Sequence, residues 1–171
     1  QVKSFFSFSF DVIKIVVIAL AIVLPIRYFL FQPFVVKGAS MEPNYHNGDY
    51  LIVDEISYRF NDPQRGDVIV FEYPNNRKER YIKRIIGLPG ETVSIKDGQI
   101  SISKGGQISI LNESNYLPAD ITGAWHTRVD YGPVVLGEDE YFVLGDNRNA
   151  SSDSRVWGTL EEGLIIGKAS L

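Results

Sequence analysis

The chain has no cysteine, only two histidines and no excess of positive charge. Each shortage removes a class of function. Without cysteine there is no disulfide framework, no thiolate metal site and no thiol nucleophile. His46 and His126 are the whole imidazole supply, too few for a zinc site without uncommitted carboxylates, so neither metal catalysis nor a bound cofactor is expected. A net charge of −4 opposes a nucleic-acid-binding role, and no basic stripe or RNA-binding signature is present. The Gly-x-Ser-x-Gly elbow and the βαβ pattern of α/β-hydrolases are missing too. With 171 residues, the chain can bury one proper core with room for a small subdomain. It opens on Gln1 rather than Met, from which we expect preceding residues to be absent or processed.

What is abundant is apolar sequence at one end. From Val12 to Phe31 the only charges are Lys14 and Arg27, both near the ends, where long side chains can snorkel. As a helix this run would rise about 30 Å, the thickness of a hydrocarbon core. Tyr28, Phe29, Phe31 and Phe34 suit an interfacial belt, and Pro25 is tolerated in membrane helices. The uncharged core, Ile15 to Ile26, is also short enough for a signal-peptide h-region, but no Ala-x-Ala-like site follows. A buried helix apolar on every face would be hard for so small a domain to cover. The reading adopted is an N-terminal segment over residues 1–11 and one transmembrane anchor over 12–31. Lys3 and Lys14 on one side against Arg27 and Lys37 on the other leave its orientation undecided.

After Phe34 the pattern turns to short apolar strands separated by turn residues, so residues 32–171 read as a mainly β module. Strands are expected at Tyr50–Val53, Val68–Phe71, Tyr81–Ile86, Tyr141–Leu144 and Leu164–Ile166. Two alternating segments flank Lys96-Asp97-Gly98, a hairpin signal, and Gln107–Leu111 can add a strand. A small β excursion, residues 93–131, interrupts the module, and Asn112 to Pro133 shows no legible pattern.

Four segments carry the chemistry: Gly38-Ala39-Ser40-Met41-Glu42-Pro43, Arg65-Gly66-Asp67-Val68-Ile69-Val70-Phe71, Tyr81-Ile82-Lys83-Arg84-Ile85-Ile86-Gly87, and Leu144-Gly145-Asp146-Asn147-Arg148 through Arg155. A lone serine is usually a turn or cap residue, and a strand lysine usually points to solvent. A serine becomes a nucleophile only when a neighbouring base takes its proton. A lysine becomes that base only if burial lowers its pKa from about 10.4 toward neutrality. The apolar flanks of Lys83 offer such surroundings.

Taken together, in this order and behind an apolar span, the four segments resemble those of the bacterial type I signal peptidases, membrane-anchored Ser–Lys proteases. The resemblance runs from the anchor to the last strand. It implies a β-rich catalytic module with Ser40 as nucleophile and Lys83 as general base. It further implies that Ser151 hydrogen-bonds Lys83, which should have no close carboxylate, since that would raise its pKa. Arg84, Asp146, Asp153 and Arg155 are read as supporting ion pairs, with Arg84–Asp146 the expected couple. Calcium binding by Asp146, Asn147, Asn149 and Asp153 is disfavoured because the glycine and terminal Glu of an EF-hand are absent. The Ser40 N–H is the expected oxyanion donor. Where some members place a serine donor this chain has Gly38, so the second donor stays open.

Signal peptides of secretory preproteins would bind by strand addition against Val35, Val36, Lys37, Met41, Val68 and Ile69. The expected setting is a monomer, single-pass in the plasma membrane, with its catalytic domain outside. Two rivals stand beside this reading. Self-cleaving repressors share a Ser–Lys dyad but are soluble and DNA-binding. A catalytically inactive, membrane-tethered peptide-binding scaffold would keep the fold without the chemistry.

Overall fold

The computed structural model describes residues 10–23, 31–118, 121 and 130–170. The chain divides into two compact units, residues 1–32 and 33–171.

In the first unit, residues 10–23 are helical and every one is exposed. Phe10, Ile13, Ile15 and Val17 each show more than half their surface. Among the described residues no helix is long and apolar enough to cross a membrane. The expected anchor, 12–31, falls only partly on described positions: 12–23 is helix, while 24–30, with Pro25, Arg27, Tyr28 and Phe29, lies outside them. Two boundaries need correction. The helix already includes Phe10 and Asp11, and Phe31 opens a strand instead of closing the anchor. Pro33 explains the second change, because proline cannot sit in a helix interior and biases Gln32 toward extended backbone.

The second unit is built on two antiparallel sheets. The strands are β1 (Phe31–Val35), β2 (Tyr50–Asp54), β3 (Val68–Tyr73), β4 (Asn76–Gly87), β5 (Thr92–Lys96), β6 (Gln99–Lys104), β7 (Gln107–Ile110), β8 (Tyr131–Val135), β9 (Glu140–Leu144), β10 (Leu160–Glu161) and β11 (Ile165–Ser170). The larger sheet has the order β1-β2-β11-β3-β4-β9-β10 and the smaller one β7-β6-β5-β8. β4 begins five residues before the strand expected from its apolar run. Asn76 to Arg80 are polar and exposed, and the hairpin with β3 draws them into the sheet through Glu72 opposite Arg80 and Tyr73 opposite Asn76. β8 was illegible because Gly132-Pro133 breaks the strand pattern. It is the edge strand of its sheet, where a proline is tolerated.

Three apolar clusters hold the unit together. Val36, Met41, Leu51, Val53, Val68, Val70, Ile82 and Ala169 form one. Ile69, Phe71, Ile85, Tyr141, Val143, Leu160 and Leu164 form a second. The third joins Ile86, Phe142 and Leu144 of the large sheet to Val93, Ile95, Ile100 and Ile102 of the small one. β3 therefore has buried side chains on both faces from Val68 to Phe71.

Four strand spacings separate β1 from β4, about 19 Å in a flat sheet. Yet Phe34 and Arg80 meet, the guanidinium 5.1 Å from the ring centre. The sheet therefore coils strongly, bringing the segment after β1 against the open edge of β4. That edge is open because β9 pairs with β4 only from Arg84 onward.

Candidate active site

Ser40 stands in a turn that the core pins from below. Met41 is fully buried, and its carbonyl accepts the N–H groups of Asn44 at 3.1 Å and Tyr45 at 3.0 Å. Upstream, Gly38 has φ +88°, a conformation that L residues rarely adopt, and its N–H donates to Asn47 Oδ1 at 2.9 Å. From above, the loop after β9 clamps the turn. Asn147 N–H donates to the Ser40 carbonyl at 3.0 Å and its side-chain amide to the Ala39 carbonyl at 3.1 Å. Gly145 is packed so closely here that a Cβ would lie 2.4 Å from the Ser40 carbonyl and 2.2 Å from Ser151 Oγ.

Lys83 comes from the far side of the coiled sheet and is only 3 % exposed. Its Nζ lies 2.8 Å from Ser40 Oγ and also donates to the Ile82 carbonyl at 2.8 Å. Burial lowers its pKa to about 8, with Asp153 and Asp146 pulling weakly the other way. Both carboxylates are engaged elsewhere. Asp146 takes a two-pronged ion pair from Arg84, at 2.8 and 2.6 Å, and a bond from Asn44 at 2.7 Å. Asp153 is paired with Arg155 at 2.8 Å through both oxygens and accepts the Gly145 N–H at 3.0 Å. It also caps the short helix Ser154–Trp157. Each arginine offsets a negative charge that would otherwise stabilise the lysine ammonium.

A cleft of about 590 Å³ opens beside the pair. Its walls are residues 34–37 and residues 78–83 of β4, with Leu51 and Val70 between them and Ser40 and Ser152 at one end.

A serine hydroxyl touching a buried amine of lowered pKa, at the end of a cleft along an open strand edge, is an arrangement for acyl transfer to serine. A family model described as "Signal peptidase, peptidase S26" matches residues 9–171. The chain belongs to that family. This signal peptidase is 40% identical over 148 residues to signal peptidase I of Bacillus licheniformis, covering 85% of this chain and 77% of the relative. It is 37% identical over 161 residues to a probable signal peptidase I-2 of Synechocystis, covering 91% and 69%. The crystal structure of a signal peptidase I from Enterococcus faecalis superposes with a TM-score of 0.50 at 31% identity, over 64% of this chain and 98% of that one.

The signal peptidase fold distributes the sequence-derived site residues unevenly. Ser40 and Lys83 meet, and Arg84–Asp146 and Asp153–Arg155 are paired around them. Val35, Val36 and Lys37 line the cleft. Met41, Val68 and Ile69 do not; they are at most 5 % exposed, because the turn residue and β3 are packed into the apolar clusters. Ser151 requires a second correction. Its Oγ is buried beside Gly145 and the Ser40 carbonyl, but it has no hydrogen-bond partner among the described residues, so it is not bonded to Lys83. His46 is exposed in its loop, and His126 lies outside the described residues.

Several supports of the signal peptidase site escaped the sequence reading. Glu113 is buried and forms an ion pair with Arg148, Nη1 to Oε2 at 2.8 Å and Nη2 to Oε1. Arg148 Nε also holds the Gly145 carbonyl at 3.0 Å. Glu113 sits in a stretch without periodicity, so nothing local marked it. Asn44 carried no signal in the sequence and Asn147 was weighed only as a calcium ligand; their long-range bonds give both a supporting role.

Proposed function

We propose that this signal peptidase is a serine endopeptidase that removes signal peptides from exported preproteins, with Ser40 as nucleophile and neutral Lys83 as general base. The observation that carries the proposal is the 2.8 Å contact between Ser40 Oγ and the buried Lys83 Nζ. With the amine neutral, the Ser40 O–H donates to the nitrogen lone pair. As Oγ attacks the scissile carbonyl, its proton passes to Lys83. The resulting ammonium returns that proton to the leaving amine as the peptide C–N bond breaks, leaving an acyl-enzyme. Water then attacks the ester, losing its proton to Lys83, and as the C–Oγ bond breaks Lys83 passes that proton to Ser40 Oγ, releasing the carboxyl product and regenerating Ser40.

The oxyanion needs donors. The Ser40 N–H makes no hydrogen bond among the described residues and is available, whereas the Gly38 N–H is committed to Asn47. The substrate would lie extended in the cleft, completing the open edge of β4 by main-chain bonds. Val36, Leu51, Val70 and Ile82 offer a shallow apolar floor for small side chains just before the cut. The apolar N-terminal segment would hold this module at the outer face of the plasma membrane, where a signal peptide emerges.

The test is cleavage of a preprotein with an Ala-x-Ala site by the detergent-solubilised chain. One cut after the last alanine is expected, lost in both Ser40→Ala and Lys83→Ala. A cut that survives in Lys83→Ala would remove that residue as the base. No cut by folded wild type would favour the inactive scaffold.

A further inference from the structure

The catalytic pair occupies one end of the cleft; the other end is cationic. Lys78 and Arg80 line it, Lys37 lines the cleft three residues before Ser40, and all three are exposed. Among the described residues none of the three has an ion-pair partner. The one carboxylate in the lining, Glu79, accepts instead from Asn76 Nδ2 at 2.8 Å and from the Tyr81 hydroxyl at 3.4 Å. Glu72 is the cross-strand neighbour of Arg80, yet the guanidinium turns away from it to lie over Phe34 on the opposite wall. Two walls of the cleft are thus bridged by a positive group, in a chain whose net charge is −4.

We propose that this rim is a specificity determinant, selecting substrates with an acidic side chain upstream of the cleavage site. The inference rests on the reading of the cleft as the signal-peptide site and fixes a position within it. Arg80 and Lys78 precede Lys83 by three and five residues on β4, about 10 and 17 Å at the rise of a strand. A peptide extended along that edge and running parallel to β4 advances by the same step, its upstream residues toward Lys78. With its last small residues on the apolar floor beside Ser40, the residues facing the rim are those about four to six before the cut. An Asp or Glu there meets unpaired cations; a Lys or Arg meets repulsion.

The experiment uses the full chain in zwitterionic detergent micelles and one neutral parent peptide, with Asp or Lys placed singly from six residues before the cut to three after it. The readout is the Asp-to-Lys ratio of kcat/KM at each position, at low and high salt. Exposed charge pairs of this kind lead us to expect a ratio of about five-fold, confined to the upstream positions and shrinking with salt. In Arg80→Glu and Lys78→Glu that ratio should fall to unity or invert. A ratio near one in wild type, a preference found only after the cut, or a ratio unchanged in both variants would overturn the inference while cleavage of the parent still upheld the peptidase. No cleavage of the parent would sink both. If the variants changed only binding to micelles doped with anionic lipid, the rim would belong to headgroups and the inference would fall.

Discussion

Burying the Lys83 amine is a burden on the folded state. Its pKa of about 8 against an ordinary 10.5 means that the folded chain binds fewer protons than the unfolded chain between those values. The penalty is complete below about pH 8 and fades as pH rises toward 10.5. Lys83→Met keeps the volume and removes the amine, so it should be inactive yet more stable at pH 7 by roughly 3 kcal/mol. Chemical denaturation at pH 7 and pH 10.5 checks this, with the gain vanishing at the higher pH. For the same reason kcat/KM of the wild type should climb with pH through about 8, and a flat profile there would count against Lys83 as the base. Gly145→Ala should cost at least about a hundred-fold in turnover, because the added carbon must displace either the Ser40 carbonyl or Ser151. Circular dichroism separates that displacement from unfolding. Ser40 and Lys83 were legible as candidates because their segments, with the two others, resemble those of the signal peptidases, and the apolar flanks of Lys83 offer the burial a neutral amine needs. Gly145 was not, since its importance lies in what crowds it.

At the scale of elements, the loop between β9 and the helix Ser154–Trp157 is held by buried arginine–carboxylate pairs. Arg84 reaches it from β4, and Glu113 reaches it from the segment that follows β7. Glu113→Gln would remove the carboxylate that pairs with the Arg148 guanidinium, itself 2 % exposed, a loss of up to about 3–5 kcal/mol. Thermal unfolding should show it, and turnover should fall with it because Arg148 also holds Gly145. The strands with apolar runs were readable from their pattern. The polar first half of β4, β8 with its Gly-Pro, and the partners of Arg148 were not, because tertiary pairing decides them and local composition does not.

At the scale of the whole molecule, the N-terminal helix exposes apolar side chains on every face, which sets it apart from the packed sheets. If those residues contact lipid, Ile18→Lys should raise the cost of insertion by about 3 kcal/mol. More of the protein should then be released by alkaline carbonate extraction. Extraction equal to wild type would mean that this stretch is not in the hydrocarbon region.

The order of strands in the large sheet has a consequence in time. β11 lies between β2 and β3, so the half that carries Ser40 and the half that carries Lys83 are joined in the sheet only through Ile165–Ser170. The contact between Ser40 and Lys83 therefore depends on a strand synthesised after both of them taking its place between β2 and β3.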